Sequence, residues 1–378
     1  MDHIISELNN RNSIIALGLD IRKAFDTINH KILIEKMDHY GIRNVTLSWF
    51  RSYLEHRTHQ VKIDTYFSKE ELITCGVPQG SILGPLLFIL YLNDFVNVNP
   101  NNHNVLYADD TNIFFTTDPN AQNVDRINIQ LDYLNKWFAV NHLSLSHEKT
   151  NYMFFSNNRP PENIMLKIGN CILSQVRAAK FLGVMIDDKL TWIDHIEYIK
   201  KKVSKCISII FKVRYLLSTR WKLKLYKTFV LPLFNYCNIV WGSAPISHLR
   251  SLLVSQKKVL KMSLNLHRYS PTDFVYESSG CHSINNINKI HCCIFMYKYV
   301  HNILPNTFQN RYMYFSDSHS YFTRQERNIR LPFPRINIFK RSILYRGPLL
   351  WNELTLDIKN STSLDNFKYN IKKCIPFL

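Results

Sequence analysis

Signals for membrane insertion and secretion are scarce in this chain of 378 residues. The longest apolar run, near 82–92, is interrupted by Gly84 and Pro85 and is shorter than the roughly 20 residues that a membrane helix needs. The eight cysteines form no CxxC pair, and the first residues lack the basic and then apolar pattern of a signal peptide. These absences argue against a membrane protein and a disulfide scaffold, and they predict a reduced, intracellular chain.

Glycine is also scarce, with 10 residues in the whole chain. Gly76, Gly80 and Gly84 nevertheless fall close together in the segment GVPQGSILG. Where side chains are absent a ligand can approach the backbone, and Gln79 in the same segment offers an amide for hydrogen bonds. The cluster indicates either a ligand-binding loop or a tight turn before a helix.

Charge is abundant and unevenly distributed. Lys and Arg number 47 against 29 Asp and Glu, which gives a net charge of +18. Residues 1–150 carry a net charge of −4, whereas residues 151–378 carry +22. A strongly basic segment favours a polyanionic partner, although a solvated lysine-rich face is the alternative. Because the charge is spread over more than 200 residues, it favours nucleic acid over a membrane surface.

Hydrophobic periodicity predicts a mixed α/β half followed by a helical half. The first half has a buried strand at 14–21 and a hairpin of 104–107 with 112–116, whose tip carries Asp109 and Asp110. The remaining predicted elements of the first half are helices at 29–40, at 45–55 with Asn44 as the N-cap, at 82–94 and at 121–141, and β-type runs at 58–64 and 66–74. Strands are predicted at 151–156, 164–173 and 180–186, and helices at 194–217, 219–238, 247–265 and 284–303.

Three acidic residues stand where carboxylates are costly. Asp20 ends an apolar strand, so its carboxylate must be paired, hydrated or bound to a metal. Asp109 and Asp110 are adjacent like charges at the hairpin tip, where a solvated turn is the alternative interpretation.

Read in order, three segments resemble the A, B and C motifs of reverse transcriptases, in particular those of LINE-like, non-LTR retrotransposons of the jockey type. They are LDIRKAFD (19–26), GVPQGSILGP (76–85) and YADD (107–110). The resemblance continues through AFDTINH (24–30), LFILYLNDF (87–95), SLSHEKTNYMFFS (144–156), FLGVMID (181–187), KLYKTFVLPLFNYCNIVWG (224–242) and RGPLLWNELTLDIKNSTSLDNFK (346–368).

The resemblance implies an α/β right-hand polymerase palm with partial fingers, followed by an all-α thumb and a helical tail. We expect partial fingers and palm over 1–190, the thumb over 191–245 and a basic, family-specific tail over 246–378. Complete elements have further fingers motifs and usually an endonuclease upstream. We therefore expect an N-terminally truncated copy, or a remainder encoded separately, with weak polymerase activity of this chain alone.

The resemblance also assigns a metal site. Asp20 and Asp109 would be the main ligands of two Mg²⁺ ions, with Mn²⁺ as an alternative, and Asp110 would support them. Such ions activate the primer 3′-hydroxyl and stabilise the leaving pyrophosphate. Lys149 matches the lysine proposed to protonate pyrophosphate, although a plain surface lysine is the alternative. Asp26 is expected to be a structural hydrogen-bonding residue.

The nucleotide pocket would be lined by Ile21, Phe25, Gln79 and Gly80. Phe25 matches the aromatic steric gate that excludes ribonucleotides by blocking the sugar 2′ position. The alternative is an ordinary core phenylalanine.

Nucleic-acid contacts are expected in the second half. Lys201, Lys202 and Lys205 lie off the apolar stripe of the helix at 194–217 and would bind phosphates, with a solvated face as the alternative. Three aromatic residues of that half, Tyr226, Phe229 and Trp241, are expected in the core. The Cys and His residues at 281–282 and 291–293 fit no standard zinc spacing.

The implied reaction is RNA-templated addition of deoxynucleotides to a DNA primer. The partners would be an RNA template, a DNA primer or target and deoxynucleoside triphosphates, with no membrane, in the nucleus and cytoplasm. Two alternatives stay open. One is a non-catalytic nucleic-acid-binding remnant of such an element, and the other is an intron-maturase type of enzyme, against which the tail at 346–368 argues.

Overall fold

The protein is described from a computed structural model that covers residues 1–118, 123–158, 164–315 and 328–377. The chain forms two compact units. The first unit is Arg11–Arg177, and the second combines Met1–Asn10 with Ala178–Leu378. The hairpin at 178–187, expected to belong with the palm, therefore packs with the helices that follow it. The three-part domain division stays a prediction.

The strands in chain order are β1 Ser13–Asp20, β2 Thr58–His59, β3 Lys62–Ile63, β4 Tyr66–Phe67, β5 Glu71–Leu72, β6 His103–Tyr107, β7 Asp110–Thr117, β8 Asn151–Phe155, β9 Lys167–Ile168, β10 Cys171–Ile172, β11 Ser174–Gln175, β12 Ala178–Phe181 and β13 Val184–Asp187.

The helices are α1 Asp2–Asn9, α2 His30–His39, α3 Asn44–Leu54, α4 Leu83–Leu92, α5 Phe95–Val98, α6 Val124–Val140, α7 Ile193–Lys212, α8 Thr219–Leu225, α9 Leu231–Asn235, α10 Asn238–Trp241, α11 Ile246–Ser263, α12 Thr272–Ser279, α13 Ile284–Val300, α14 Asn337–Arg341, α15 Ile343–Glu353, α16 Leu356–Lys359 and α17 Leu364–Cys374. A π-helical turn, Tyr226–Val230, joins α8 to α9, and a 3₁₀ turn covers Asn306–Phe308.

The first unit is built on a five-stranded sheet in the order β11-β8-β1-β7-β6. Strand β1 is central and runs antiparallel to both β7 and β8. Its alternate residues Ile15, Leu17 and Leu19 lie on one face of the sheet and pack in a core shared with α2, α4 and α6. A central strand is well suited to hold a functional residue at its end, because neighbours fix it on both sides.

Sequence periodicity predicted the packing of α6 correctly. The apolar residues spaced at helical intervals in the predicted helix at 121–141, namely Ile127, Leu131, Leu134 and Phe138, are the buried residues of α6. The hairpin was placed less accurately, since Asp110 is the first residue of β7 and only Ala108 and Asp109 form the turn. Asn44 is the first helical residue of α3 instead of its N-cap.

The second unit is mainly helical, which confirms the expected change from an α/β half to a helical half. The helix predicted over 219–238 is instead divided into α8, a π-helical turn and α9. Pro232 lies just after that turn and cannot donate a backbone hydrogen bond, which accounts for the break. Helix α12 was not predicted.

The large aromatic residues of this unit follow the prediction in part. Tyr226 and Trp241 are fully buried, as expected, but Phe229 is 53% exposed and was wrongly placed in the core. Among the described residues, no helix is long and apolar enough to cross a membrane.

Candidate active site

Two of the three candidate metal ligands lie opposite each other on adjacent strands of the five-stranded sheet. Asp20 is the last residue of β1, and its partner in the antiparallel register is Asp110, the first residue of β7. Residues opposite each other in such a pair have Cα atoms about 4.5–5.5 Å apart. Asp109 lies in the turn immediately before Asp110, after Ala108 at φ +51°. All three aspartates therefore lie at one end of the sheet, as the sequence predicted.

The electrostatics of this end are unfavourable in the absence of cations. Burial raises the pKa of the Asp110 carboxyl, and the nearby carboxylates of Asp109 and Asp20 raise it further. Asp20 keeps 43% of its side chain exposed. Like charges at this spacing oppose one another's ionisation, and a cation relieves that cost.

The donor chemistry suits Mg²⁺. This ion binds through one or two carboxylates and completes its shell with water and substrate phosphates. Among the described residues, no three His, Cys, Asp or Glu side chains converge tightly enough to form a metal site by themselves. Water and substrate oxygens would have to complete the coordination of an ion bound by Asp20 and Asp109.

The segment 144–150 clamps the end of β1. The Ser146 amide donates to the Asp20 carbonyl at 2.8 Å, and the Asp20 amide donates to the buried Thr150 Oγ1 at 3.4 Å. Lys149 Nζ lies 3.7 Å from Asp20 Oδ2, with 73% of its side chain exposed. The structure thus brings Lys149 to the Asp20 carboxylate. Thr150 was overlooked, although it stands in the same segment, SLSHEKT.

The glycine-rich loop docks against the chain that follows β1. The Gly76 amide donates to the Ile28 carbonyl and the Val77 amide to the Phe25 carbonyl, both at 2.8 Å. Gly76 has φ +85°, and a Cβ there would lie 2.8 Å from the Asp26 carbonyl oxygen. This close approach explains a glycine at 76. His30, which the sequence analysis did not single out, fixes the loop with Nε2 2.7 Å from the Gly76 carbonyl oxygen.

The same docking brings the candidate pocket residues together. Gln79 Nε2 donates to Asp26 Oδ1 at 2.8 Å, so Asp26 is a hydrogen-bonding residue that holds Gln79. Gly80 has φ +80°, and a Cβ added there would have no atom within 4 Å. Phe25 is half-buried, with its ring 4.8 Å from that of Phe88. Ile21 is buried in the core, so only its backbone is available to a ligand.

Residues 3–186 match the family described as reverse transcriptase (RNA-dependent DNA polymerase). These residues form a reverse transcriptase domain. All three motif segments, at 19–26, 76–85 and 107–110, lie inside the match. The five-stranded sheet with the aspartates at its end also lies inside this domain.

The individual proteins that this chain resembles include RNA-directed DNA polymerases of mobile elements. The chain is 28% identical over 307 residues to the probable RNA-directed DNA polymerase from transposon X-element of Drosophila melanogaster. The aligned region covers 75% of this chain and 33% of that protein. It is 30% identical over 268 residues to the RNA-directed DNA polymerase from mobile element jockey of the same species. That alignment covers 68% of this chain and 29% of the relative. The chain spans about a third of the length of these relatives.

A looser similarity exists among solved structures. The apo telomerase from Candida tropicalis superimposes with a TM-score of 0.39 and 13% identity, over 82% of this chain and 55% of that one.

The candidate phosphate-binding lysines lie beyond the reverse transcriptase domain, on α7 of the second unit. Lys201, Lys202 and Lys205 are exposed, whereas the apolar stripe of the helix is buried, as predicted. Lys202 Nζ lies 4.4 Å from the centre of the Tyr198 ring. The lysines are thus free of the core and available to an anionic partner.

Proposed function

We propose that this chain is the polymerase part of a non-LTR retrotransposon protein and that it adds deoxynucleotides to a DNA primer on an RNA template. The observation that carries the proposal is the placement of Asp20, Asp109 and Asp110 at one end of the palm sheet, with Lys149 beside them. The reverse transcriptase domain and its jockey-type relatives support the same reaction class.

The cation would be held by Asp20 and Asp109, with Asp110 in support. Mg²⁺, or Mn²⁺ in its place, would supply activation of the primer 3′-hydroxyl and charge stabilisation of the departing pyrophosphate. The three carboxylates supply the negative charge that binds the cation. Hydrogen bonds from the Ser146 amide to the Asp20 carbonyl and from the Asp20 amide to Thr150 fix this end of the sheet.

The remaining residues orient the substrate. Lys149, with its exposed ammonium group 3.7 Å from Asp20, is placed to give a proton to the leaving pyrophosphate. Gln79, held by Asp26, and Gly80 with its open backbone would contact the incoming nucleotide. Phe25, packed on Phe88, would block the 2′ position of the sugar.

Template and primer would bind to the basic second half. Lys201, Lys202 and Lys205 present three exposed charges on α7 for phosphates. In the proposed arrangement α7 belongs to the thumb at 191–245, and residues 246–378 form the basic tail. The partners would be an RNA template, a DNA primer or target and deoxynucleoside triphosphates, encountered in the nucleus and cytoplasm.

The test compares the wild-type chain with Asp109→Asn in extension of a DNA primer annealed to RNA, with Mg²⁺ present. We expect the variant to lose extension while its affinity for the template and primer stays within about twofold, because a cation ligand and no phosphate contact is removed. Asp64→Asn, on an exposed loop, is the matched charge control. Extension by Asp109→Asn at the wild-type rate would contradict the site. Binding without extension by the wild type would favour a non-catalytic remnant.

A further inference from the structure

The second unit contains a basic cavity that none of the α7 lysines lines. Its volume is about 580 Å³, within the range of about 300–1,000 Å³ typical of ligand sites. Three parts of the chain far apart in sequence build it, namely the turn and helix at 226–235, the segment 280–294 and the C-terminal residues 368–377. The cavity therefore exists only in the folded unit.

Its lining combines an apolar floor with a cationic rim. The floor includes Leu231, Ile287 and Ile290, which extend the two hydrophobic clusters of this unit. The rim carries four lysines, Lys227 from the π-helical turn and Lys368, Lys372 and Lys373 from α17. Lys368 is paired with Asp365 at 2.9 Å, whereas Lys227, on the π-helical turn, and Lys372, on α17, are exposed. The lining contains no Asp or Glu. Such a site fits a ligand with a flat apolar body and more than one negative charge.

Aromatic and neutral polar groups complete the lining. Tyr369 is 59% exposed and its ring is available for stacking, with Lys373 Nζ 4.3 Å from the ring centre. His282 Nδ1 lies 3.2 Å from the Pro376 carbonyl oxygen, which assigns the proton to Nδ1 and leaves Nε2 as an acceptor. Burial, and then the charge of Lys372, lower the pKa of His291, so its imidazole is neutral at pH 7.

We propose that this cavity binds a single-stranded segment of RNA, with a base on the apolar floor and Tyr369 and with adjacent phosphates at Lys227 and Lys372. Stacking surfaces combined with lysines are the means by which proteins hold unpaired nucleotides. The Asn235 amide and the two imidazoles provide hydrogen-bonding groups for a ribose 2′-hydroxyl, which distinguishes RNA from DNA. The identification of this RNA as the template strand rests on the function proposed above. The binding of single-stranded RNA in the cavity does not depend on that function.

The test measures the affinity of the full chain for a fluorescein-labelled U12 RNA by fluorescence anisotropy. We expect Lys227→Gln with Lys372→Gln to weaken binding about tenfold at 0.1 M salt and to reduce the slope of log affinity against log salt by about 1.4, or 0.7 per lost contact. The matched control is Lys258→Gln with Lys340→Gln, which removes equal charge from exposed sites outside the cavity. Equal weakening by both pairs, or none by the cavity pair, would overturn the proposal.

A second pair of variants tests stacking. Tyr369→Ser should weaken U12 binding at least fivefold, because base stacking is worth about 1–3 kcal/mol, and Tyr369→Phe should retain wild-type affinity. Equal affinity for dT12, for duplex RNA or for a heptaglutamate peptide would overturn the assignment to single-stranded RNA. Inactivity in primer extension with intact, cavity-dependent U12 binding would contradict only the polymerase function.

Discussion

Asp20 and Asp110 are direct cross-strand partners at the last position of the β1–β7 ladder. Like charges directly opposite each other destabilise an antiparallel pair by about 0.2–1 kcal/mol. The sheet keeps this cost at the position where the proposed cation site needs negative charge, which is the relationship expected of a metal-binding site.

Asp110→Asn should therefore stabilise the chain in the absence of divalent cations. We expect a rise of up to about 2 °C in the melting temperature in EDTA, because one member of the repelling pair becomes neutral. Added Mg²⁺ should stabilise the wild type by binding the native state, and should stabilise the variant less. Differential scanning fluorimetry with and without Mg²⁺ measures both effects, with Asp64→Asn as control. An equal Mg²⁺ response in all three proteins would argue against the site.

Phe25→Ala should increase the incorporation of ribonucleotides relative to deoxyribonucleotides. Loss of the ring removes a steric block at the sugar, and loss of its packing on Phe88 should cost about 1–3 kcal/mol of stability. Single-nucleotide incorporation with dNTP and rNTP gives the ratio, and Phe25→Tyr, which keeps the ring, is the control. An unchanged ratio in an active Phe25→Ala enzyme would make Phe25 a core residue only.

Gly76→Ala should destabilise the first unit more than Gly80→Ala does. Both glycines have φ near +80°, so alanine at either position costs about 1–2 kcal/mol of backbone strain. Only at Gly76 would the new Cβ lie 2.8 Å from the Asp26 carbonyl oxygen, which should bring the total to about 3 kcal/mol. Urea unfolding of the two variants provides the comparison. Equal losses would mean that the loop does not dock on 25–28 as described.

Simultaneous replacement of Lys201, Lys202 and Lys205 by Gln should weaken binding of template and primer and make it less sensitive to salt. Three lost phosphate contacts correspond to a decrease of about 2–2.7 in the slope of log affinity against log salt. Filter binding between 50 and 200 mM salt measures the slope, and replacement of the same lysines by Arg should preserve it. An unaltered slope in the Gln variant would leave these lysines as a solvated face.

His195 should make the second unit sensitive to acid. Burial, and then the charge of Lys202, lower the pKa of its imidazole to about 4, and Nδ1 accepts a hydrogen bond from the Met185 amide at 3.2 Å. The unfolded chain binds this proton near pH 6.5, so stability present above pH 6.5 should decline as the pH falls toward 4. Thermal melts at a series of pH values should show a weaker decline for His195→Gln. Parallel profiles would exclude His195 as the cause.

Local patterns determined much of this protein. The order of the motifs at 19–26, 76–85 and 107–110 predicted the reverse transcriptase family, and apolar spacing located the buried faces of α6 and α7. These features are readable because a side chain's environment in a helix or strand repeats every 3.6 or 2 residues. The same patterns predicted that Lys201, Lys202 and Lys205 are exposed.

Non-local pairing was decided only by the tertiary structure. The register that sets Asp20 opposite Asp110, the docking of Gly76 on Asp26 and the capture of the 178–187 hairpin by α7 join residues from separate segments. Two hydrogen bonds hold the hairpin against α7. The Trp192 amide donates to Asp187 Oδ2 at 2.8 Å, and the Met185 amide donates to His195 Nδ1 at 3.2 Å. Likewise, Lys227 and Lys372 line one cavity although they are far apart in the chain. Periodicity describes which face of each element is apolar but not which element covers it, so these contacts depend on the packing of the whole unit.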